Sequence, residues 1–336
     1  MDKKIISKLI NKEIKELILH ETRNNKNDIR YTYKCITDKE EYYLKMHSNI
    51  FTSIDKINSI VMVIEKYNSI GIYSPKIIKQ SNNQYASLVK YEGLDFVVWI
   101  EEKAIYEFQL KSTDLRDDFA LYIGKVSTRL KVFKFNYKSP YIMFEPYIKS
   151  DIVDEYEEYL NKVYNLFIDV SEVDKEVLEY VYKAFYEIRD RIKNDYQKLP
   201  SSVFQCDLQN GNVLVQNDKF IGLIDFNLVG REKILTYIIN ELAYQESKAI
   251  GNKWTSDEYI MFHVNEFKRR LKLVEKEYEF NNMEVNIIND LYKAIIPYKF
   301  YPLTEIIGYY KMNDFEEVNY RLLWMKRIID IDLKLL

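Results

Sequence analysis

Three side chains in the run FQCDLQNGNVLVQNDKFIGLIDFN, residues 204 to 227, are of the types that handle metal and phosphate: Asp207, Asn212 and Asp225. Carboxylates and amides beside a packed sheet are costly unless something binds them. Asn212 opens a short strand, Asn217-Asp218 suits a tight two-residue turn, and the returning strand ends at Asp225. Such a hairpin brings Asn212 and Asp225 to the same end of two paired strands, with Asp207 just upstream. Two oxygen ligands side by side suit a magnesium ion on a polyphosphate, because this ion takes few protein ligands and leaves its other positions to phosphate and water. Asp207 is then placed to accept a hydroxyl proton. The bare Asp-x4-Asn spacing is also ordinary turn chemistry, so the surrounding elements decide its meaning.

Those elements fall into two halves. YTYKCI (31 to 36) and EYYLKM (41 to 46) flank a TDKE turn and predict a hairpin rich in strand formers. Ile57, Ile60, Val61 and Ile64 recur at helical spacing within 53 to 70, ending before Gly71. YASLVKY (85 to 91) and DFVVWIEE (95 to 102) predict two more strands around a Glu92-Gly93 turn. Beyond residue 112 the pattern is mostly helical, with helices expected over 114 to 133, 151 to 168 and 172 to 197 and again from about 233 to the end. The hairpin of 213 to 225 is the strong strand signal in that half.

Composition narrows the classes. The 336 residues allow one large or two medium domains, and 47% hydrophobic with 30% charged residues is the balance of a globular protein. A net charge of −3, from 49 basic and 52 acidic side chains without long single-sign blocks, gives no nucleic-acid footprint. Cys35 and Cys206 are far apart and lack metal-ligand spacing, which fits a reduced, cytoplasmic setting. The N-terminal MDKKIISKLINKEIKELIL carries charge throughout, unlike a signal peptide. Its Ile5, Leu9, Ile14 and Leu17 predict a small amphipathic helix. No stretch approaches the ~20 apolar residues that span a bilayer, so neither membrane nor nucleic acid is expected as a partner.

A carboxylate at the acceptor, with an amide and a later carboxylate on the metal, is the division of labour of phosphoryl transfer in the protein-kinase fold. The segment LPSSVFQCDLQNGNVLVQNDKFIGLIDF resembles the catalytic region of the aminoglycoside phosphotransferase and choline kinase-like families. On that resemblance Asp207 matches the catalytic Asp, Asn212 and Asp225 match the metal ligands, and Gly230 stands where these families often place a glycine. Gln205 and Cys206 replace the usual His-Gly pair, Asn227 takes the third place of Asp-Phe-Gly, and Asn240 stands where an Asp is common.

The resemblance implies an α+β, two-lobed protein-kinase-like fold, with a small antiparallel-sheet N-lobe over 1 to 102 and a mainly helical C-lobe over 103 to 336. It implies that Lys45 grips the nucleotide phosphates and pairs with Glu65 of the following helix. Backbone groups at Ile100 and Glu102 would meet a purine edge, with Trp99 either lining that pocket or serving as ordinary core. The glycine-free HETRNNKNDIR (20 to 30) occupies the slot of the phosphate-covering loop, where backbone N–H groups can still cradle phosphate. The acidic run DIVDEYEEYL (151 to 160) either attracts a polycationic acceptor or is a solvated helix face. The implied cofactors are ATP or GTP and Mg2+, the implied partner is a small-molecule hydroxyl acceptor, and a monomer or weak dimer is expected. Aminoglycoside phosphorylation, and so antibiotic resistance, stands first. A kinase of choline, a sugar or an amino alcohol is the alternative, and an inactive nucleotide-binding module is the reading from a different class.

Overall fold

The computed structural model describes residues 3–110, 114–141, 143–144, 154–243 and 256–336. Along the chain α1 (Lys3–Ile10) precedes β1 (Glu16–Asn25), β2 (Asp28–Ile36), β3 (Glu41–Asn49), α2 (Ile54–Ser69), β4 (Ala86–Tyr91), β5 (Leu94–Glu102) and β6 (Glu107–Phe108). Next come α3 (Arg116–Arg129), α4 (Glu155–Phe167), α5 (Lys175–Lys198), β7 (Ser201–Phe204), β8 (Val213–Gln216), β9 (Lys219–Leu223) and β10 (Gly230–Lys233). The chain continues through α6 (Ile234–Leu242), α7 (Asp257–Val274), α8 (Asn282–Ile295), α9 (Phe300–Lys311) and α10 (Phe315–Asp330). Two compact units result: Met1–Thr113 with Phe135–Tyr137 and Asp207–Val229, and Asp114–Lys134 with Lys138–Cys206 and Gly230–Leu336. The β8–β9 hairpin, assigned to the helical half from sequence, thus packs with the N-terminal strands.

The first unit is built on an antiparallel sheet of order β1-β2-β3-β5-β4. Side chains alternate across it. One face carries Tyr33, Cys35, Tyr42, Leu44, Met46, Phe96, Val98 and Ile100, which are buried with Ile6, Ile10 and Ile14 from α1 and the chain after it. In the register that pairs Lys45 with both Thr32 and Trp99, the opposite face of the central strands presents Thr32, Lys45, His47, Trp99 and Glu101. Both predicted tight turns have positive φ at two successive residues, 49° and 82° at Glu92-Gly93 and 51° and 55° at Asn217-Asp218, the signature of turns whose twist matches that of paired strands.

Two expectations are corrected at the N-terminus. The first helix ends at Ile10, and residues 16 to 25, expected partly as helix and partly as a phosphate-covering loop, form β1 paired with β2 from Glu16↔Ile36 to Asn25↔Asp28. Only Lys26 and Asn27 are left as the turn. β1 is an edge strand with no buried side chain, so its place comes from backbone pairing and not from an apolar pattern.

The smaller sheet of this unit, order β6-β8-β9, is tied to the segment after α2 by Tyr73, whose N–H donates to Ile221 O at 2.9 Å and whose carbonyl accepts from Leu223 N at 2.9 Å. A Cβ on Gly222 would lie 1.9 Å from Tyr73 O. Backbone cannot yield as a side-chain tip can, so Gly222→Ala is expected to cost about 3 kcal/mol, the upper end for overpacking. Gly211, with open space around the same position, is the matched control. Urea midpoints of the two variants test the contrast, and a Gly222→Ala midpoint equal to that of Gly211→Ala would contradict the close approach.

The second unit is helical, with the antiparallel ribbon β7–β10 as its sheet. Its core includes Phe185, Tyr237, Ile239, Phe267, Leu291 and Trp324, all nearly or fully buried. Here a Cβ on Gly230 would fall 2.3 Å from Ser139 N, which accounts for the glycine at the start of β10. Residues 151–153 of the acidic run lie outside the described residues. Of the rest, Asp154 is buried, caps α4 and pairs with Arg189, whereas Glu155 and Glu158 are exposed. Among the described residues no helix is long and apolar enough to cross a membrane.

Candidate functional site

The hairpin places its two ends side by side through backbone hydrogen bonds. Ile224 N donates to Asn212 O at 2.9 Å and Asn212 N donates to Gln209 O at 2.8 Å. Directly after Ile224, Asp225 adopts a left-handed conformation, φ 57° and ψ 74°. Its carboxylate lies 3.0 Å from Lys45 Nζ, so two residues 180 positions apart in the chain meet inside the first unit. Asn212 donates through Nδ2 to Asp207 Oδ2 at 2.7 Å and to Asp207 O at 3.2 Å, while Gln209 Nε2 donates to Asp207 Oδ2 at 3.0 Å. With its amide nitrogen turned to Asp207, Asn212 keeps its amide oxygen for another partner.

A cavity of about 420 Å³ opens here, lined by Lys45, Asn212 and Asp225 together with Gly211, Glu101 and Glu102. Burial, and after it the nearby Asp225 carboxylate, pushes the Asp207 pKa above the usual carboxylate range. For Lys45, burial pulls the pKa down, but the Asp225 and Glu101 carboxylates outweigh it and hold the ammonium above its ordinary value. The cation is therefore fixed in the charged form. His47, buried on the same strand, is driven well below its ordinary pKa by burial and then by Arg30, Lys45 and Lys56, so it stays neutral.

Lys45 does not pair with Glu65. Glu65 falls on the exposed stripe of α2 with Asp55, Asn58, Met62 and Ser69, opposite the face that buries Ile57, Ile60, Val61 and Ile64. The second carboxylate on Lys45 is instead Glu101 Oε2, at 3.2 Å. Trp99, 1% exposed, donates from Nε1 to Glu101 Oε1 at 2.8 Å, so it acts as packed core that orients Glu101. Strand parity carries the missed signal: Tyr43 pairs with Glu101 and Lys45 with Trp99, which puts residues 99 and 101 on the face of Lys45. A register drawn from the apolar alternation of β3 and β5 would have found it.

Two of the backbone groups expected to meet a purine edge, the Ile100 carbonyl and the Glu102 N–H, have partners within the protein. The Ile100 carbonyl accepts from Ile78 N at 2.9 Å and Glu102 N donates to Lys76 O at 2.9 Å, so those groups already serve a neighbouring segment. The Ile100 side chain is buried in the face covered by α1, and Glu102 is among the residues that line the cavity.

The departures at Gln205 and Cys206 find physical reasons. Gln205 is fully buried, which makes it a support within its unit. Cys206 has φ 63°, the left-handed region that a glycine occupies freely and that costs another residue about 1 to 2 kcal/mol. Its buried Sγ donates to Phe204 O at 3.2 Å, and burial pushes the thiol pKa well up, so it is no nucleophile. Asn240 donates to Tyr156 Oη at 2.8 Å and to Thr236 O at 3.0 Å.

No protein-family model and no curated protein matches the chain. Solved structures do. The amicoumacin kinase hAmiN in complex with AMP-PNP, Ca2+ and Ami superposes at TM-score 0.56 with 16% identity, covering 97% of this chain and 92% of that one. The microcompartment-associated aminopropanol kinase gives TM-score 0.54 with 10% identity over 97% and 94% of the two chains. Spectinomycin phosphotransferase APH(9)-Ia in complex with ADP and spectinomycin gives 0.53 with 13% identity over 99% and 95%. At such identities the likeness concerns the fold: this chain has the α+β, protein-kinase-like fold of these small-molecule kinases.

Proposed function

We propose that the chain is a magnesium-dependent phosphotransferase that moves the γ-phosphoryl group of ATP or GTP to a hydroxyl of a small molecule, in the manner of the aminoglycoside phosphotransferases. The observation that carries this is the convergence of Lys45, Asn212 and Asp225 on one cavity, with Asp207 hydrogen-bonded to Asn212. Asp207 orients the acceptor hydroxyl and takes its proton as the acceptor oxygen bonds to the γ-phosphorus and the bond to the β-phosphate oxygen breaks. Lys45, held charged by Glu101 and Asp225, grips the phosphates. The donor set fits a hard cation: the Asn212 amide oxygen and the Asp225 carboxylate would hold magnesium, which neutralises phosphate charge when bound. Most of the rate enhancement would then come from positioning and charge.

The structural neighbours support this reading, since they include antibiotic phosphotransferases solved with AMP-PNP or ADP. They also include an aminopropanol kinase, which favours as second reading a kinase of a hydroxylated metabolite such as an amino alcohol. Nucleotide consumption measured against a mixed panel of aminoglycosides, macrolides, choline, sugars and amino alcohols separates the two. Magnesium-dependent ATP or GTP binding without turnover on any acceptor would instead favour an inactive nucleotide-binding module. Two buried, unbridged thiols agree with a reducing compartment such as the cytoplasm.

The raised Asp207 pKa sets a pH dependence. The base works when deprotonated, so kcat/KM falls as pH drops through its folded-state pKa. Because burial and Asp225 raise that value, the acid limb is expected above the ordinary carboxylate pKa of about 3.9. A kcat/KM profile with no acid limb at all would remove Asp207 as the base.

A further inference from the structure

The glycine-free β1–β2 hairpin contributes cations to the cavity. Arg23 on β1 and Arg30 on β2 are direct cross-strand partners, and both line the cavity that holds Lys45 and Asp225. Their orientation is built. Asp28 is 8% exposed and accepts at Oδ1 from Arg30 Nε at 2.7 Å and from Asn49 Nδ2 at 2.7 Å, while its Oδ2 lies 3.3 Å from Arg23 Nε. The Arg30 side chain is only 23% exposed. With Nε directed to Asp28, a guanidinium still has four N–H donors on its two terminal nitrogens, in a planar fork that matches phosphate oxygens.

Among the residues lining the cavity, Arg23, Arg30 and Lys45 face Glu21, Glu101, Glu102 and Asp225, so directed donors rather than net charge decide what binds. His47 is directly across β2–β3 from Arg30 and remains neutral, and its pKa is depressed in part by Arg30, Lys45 and Lys56 together, which places three cations near one point. Asp28 is engaged by the arginines, and Asp225 and Glu101 by Lys45. With those carboxylates engaged, the terminal N–H donors of Arg30 and the Lys45 ammonium on one cavity are the groups that suit a phosphate chain.

We propose that Arg30, assisted by Arg23 and held in place by the buried Asp28, binds the terminal phosphates of the nucleotide and does with side chains what a glycine-rich loop does with backbone N–H groups. This rests on the phosphotransferase reading above. Arg30 thereby selects di- and triphosphates over monophosphates, since only the longer chains reach both Lys45 and the arginine pair.

The test is calorimetric affinity for ATP and for AMP, with magnesium, in the wild type and in Arg30→Gln, Arg30→Gln/Asp28→Asn and Lys45→Met. The double variant removes the buried carboxylate together with one of its two arginines, so that the net charge of the corner is unchanged, and circular dichroism and melting curves check that it stays folded. One lost charge-assisted fork predicts ATP affinity about 10- to 100-fold weaker with AMP affinity changed less than about 3-fold. Wild-type ATP affinity in both arginine variants, alongside a loss in Lys45→Met, would overturn the arginine proposal and leave the phosphotransferase reading standing. Equal losses for ATP and AMP would overturn it as well, by showing a general collapse of the pocket. Failure of the wild type to bind either ATP or GTP with magnesium would overturn both.

Discussion

Asp207→Ala is expected to lower turnover on a verified acceptor by roughly 10²- to 10⁴-fold, the usual contribution of a positioned base. The loss should appear in kcat and leave nucleotide affinity nearly unchanged, because the cavity is lined by Lys45, Asn212 and Asp225 while Asp207 meets it through Asn212. Stability should hold. Asp207 is half-buried, and its charge is disfavoured by burial and by Asp225, so removing it relieves a repulsion. Asn212 Nδ2 retains the Asp207 carbonyl at 3.2 Å as an acceptor. Asp207→Asn should lose as much activity, since an amide has the shape of the carboxylate but cannot take a proton. Unchanged turnover in either variant would remove the assignment of Asp207.

The residues legible in the sequence were those fixed by local geometry. A two-residue turn at Asn217-Asp218 between two short antiparallel strands returns Asp225 to the end where Asn212 stands, and no tertiary knowledge is needed to see it. The residues that were not legible depend on which face an element turns inward. Glu65 satisfied the order lysine, then helix carboxylate, but the burial of Ile57, Ile60, Val61 and Ile64 turns it to water, and the carboxylate beside Lys45 comes from the adjacent strand instead. Ile100 and Glu102 were placed in the correct strand, yet the Ile100 carbonyl and the Glu102 N–H bond to Ile78 and Lys76, in a segment with no strong pattern of its own. β1 was hidden for a different reason. ELILHETRNN buries no side chain, so an edge strand held by backbone hydrogen bonds leaves no period-2 signal to read. The same concealment kept Arg23 and Arg30 out of the candidate site, because a segment read as a loop offers no face on which to place them.

The pairing of Lys45 yields the sharpest contrast among variants. Lys45→Met leaves Asp225 and Glu101, both largely shielded, without their shared cation, and breaking such a pair typically costs about 3 to 5 kcal/mol. The same change should abolish detectable turnover by removing the cation that grips the phosphates. Adding Glu101→Gln to Lys45→Met removes one of the two stranded carboxylates and keeps an acceptor for Trp99 Nε1, so urea unfolding should recover part of the lost stability while turnover stays absent. Glu101→Gln alone lets Lys45 swing toward Asp225 and should lower turnover by about 10-fold or more, the scale of one lost charge-assisted hydrogen bond. Glu65→Gln, changed on the exposed stripe of α2, should alter neither stability nor turnover. Equal losses of turnover in Glu65→Gln and Glu101→Gln would restore Glu65 as the orienting carboxylate and would mean that the strand pairing of Lys45 with Glu101 gives way to the helix pairing when nucleotide binds.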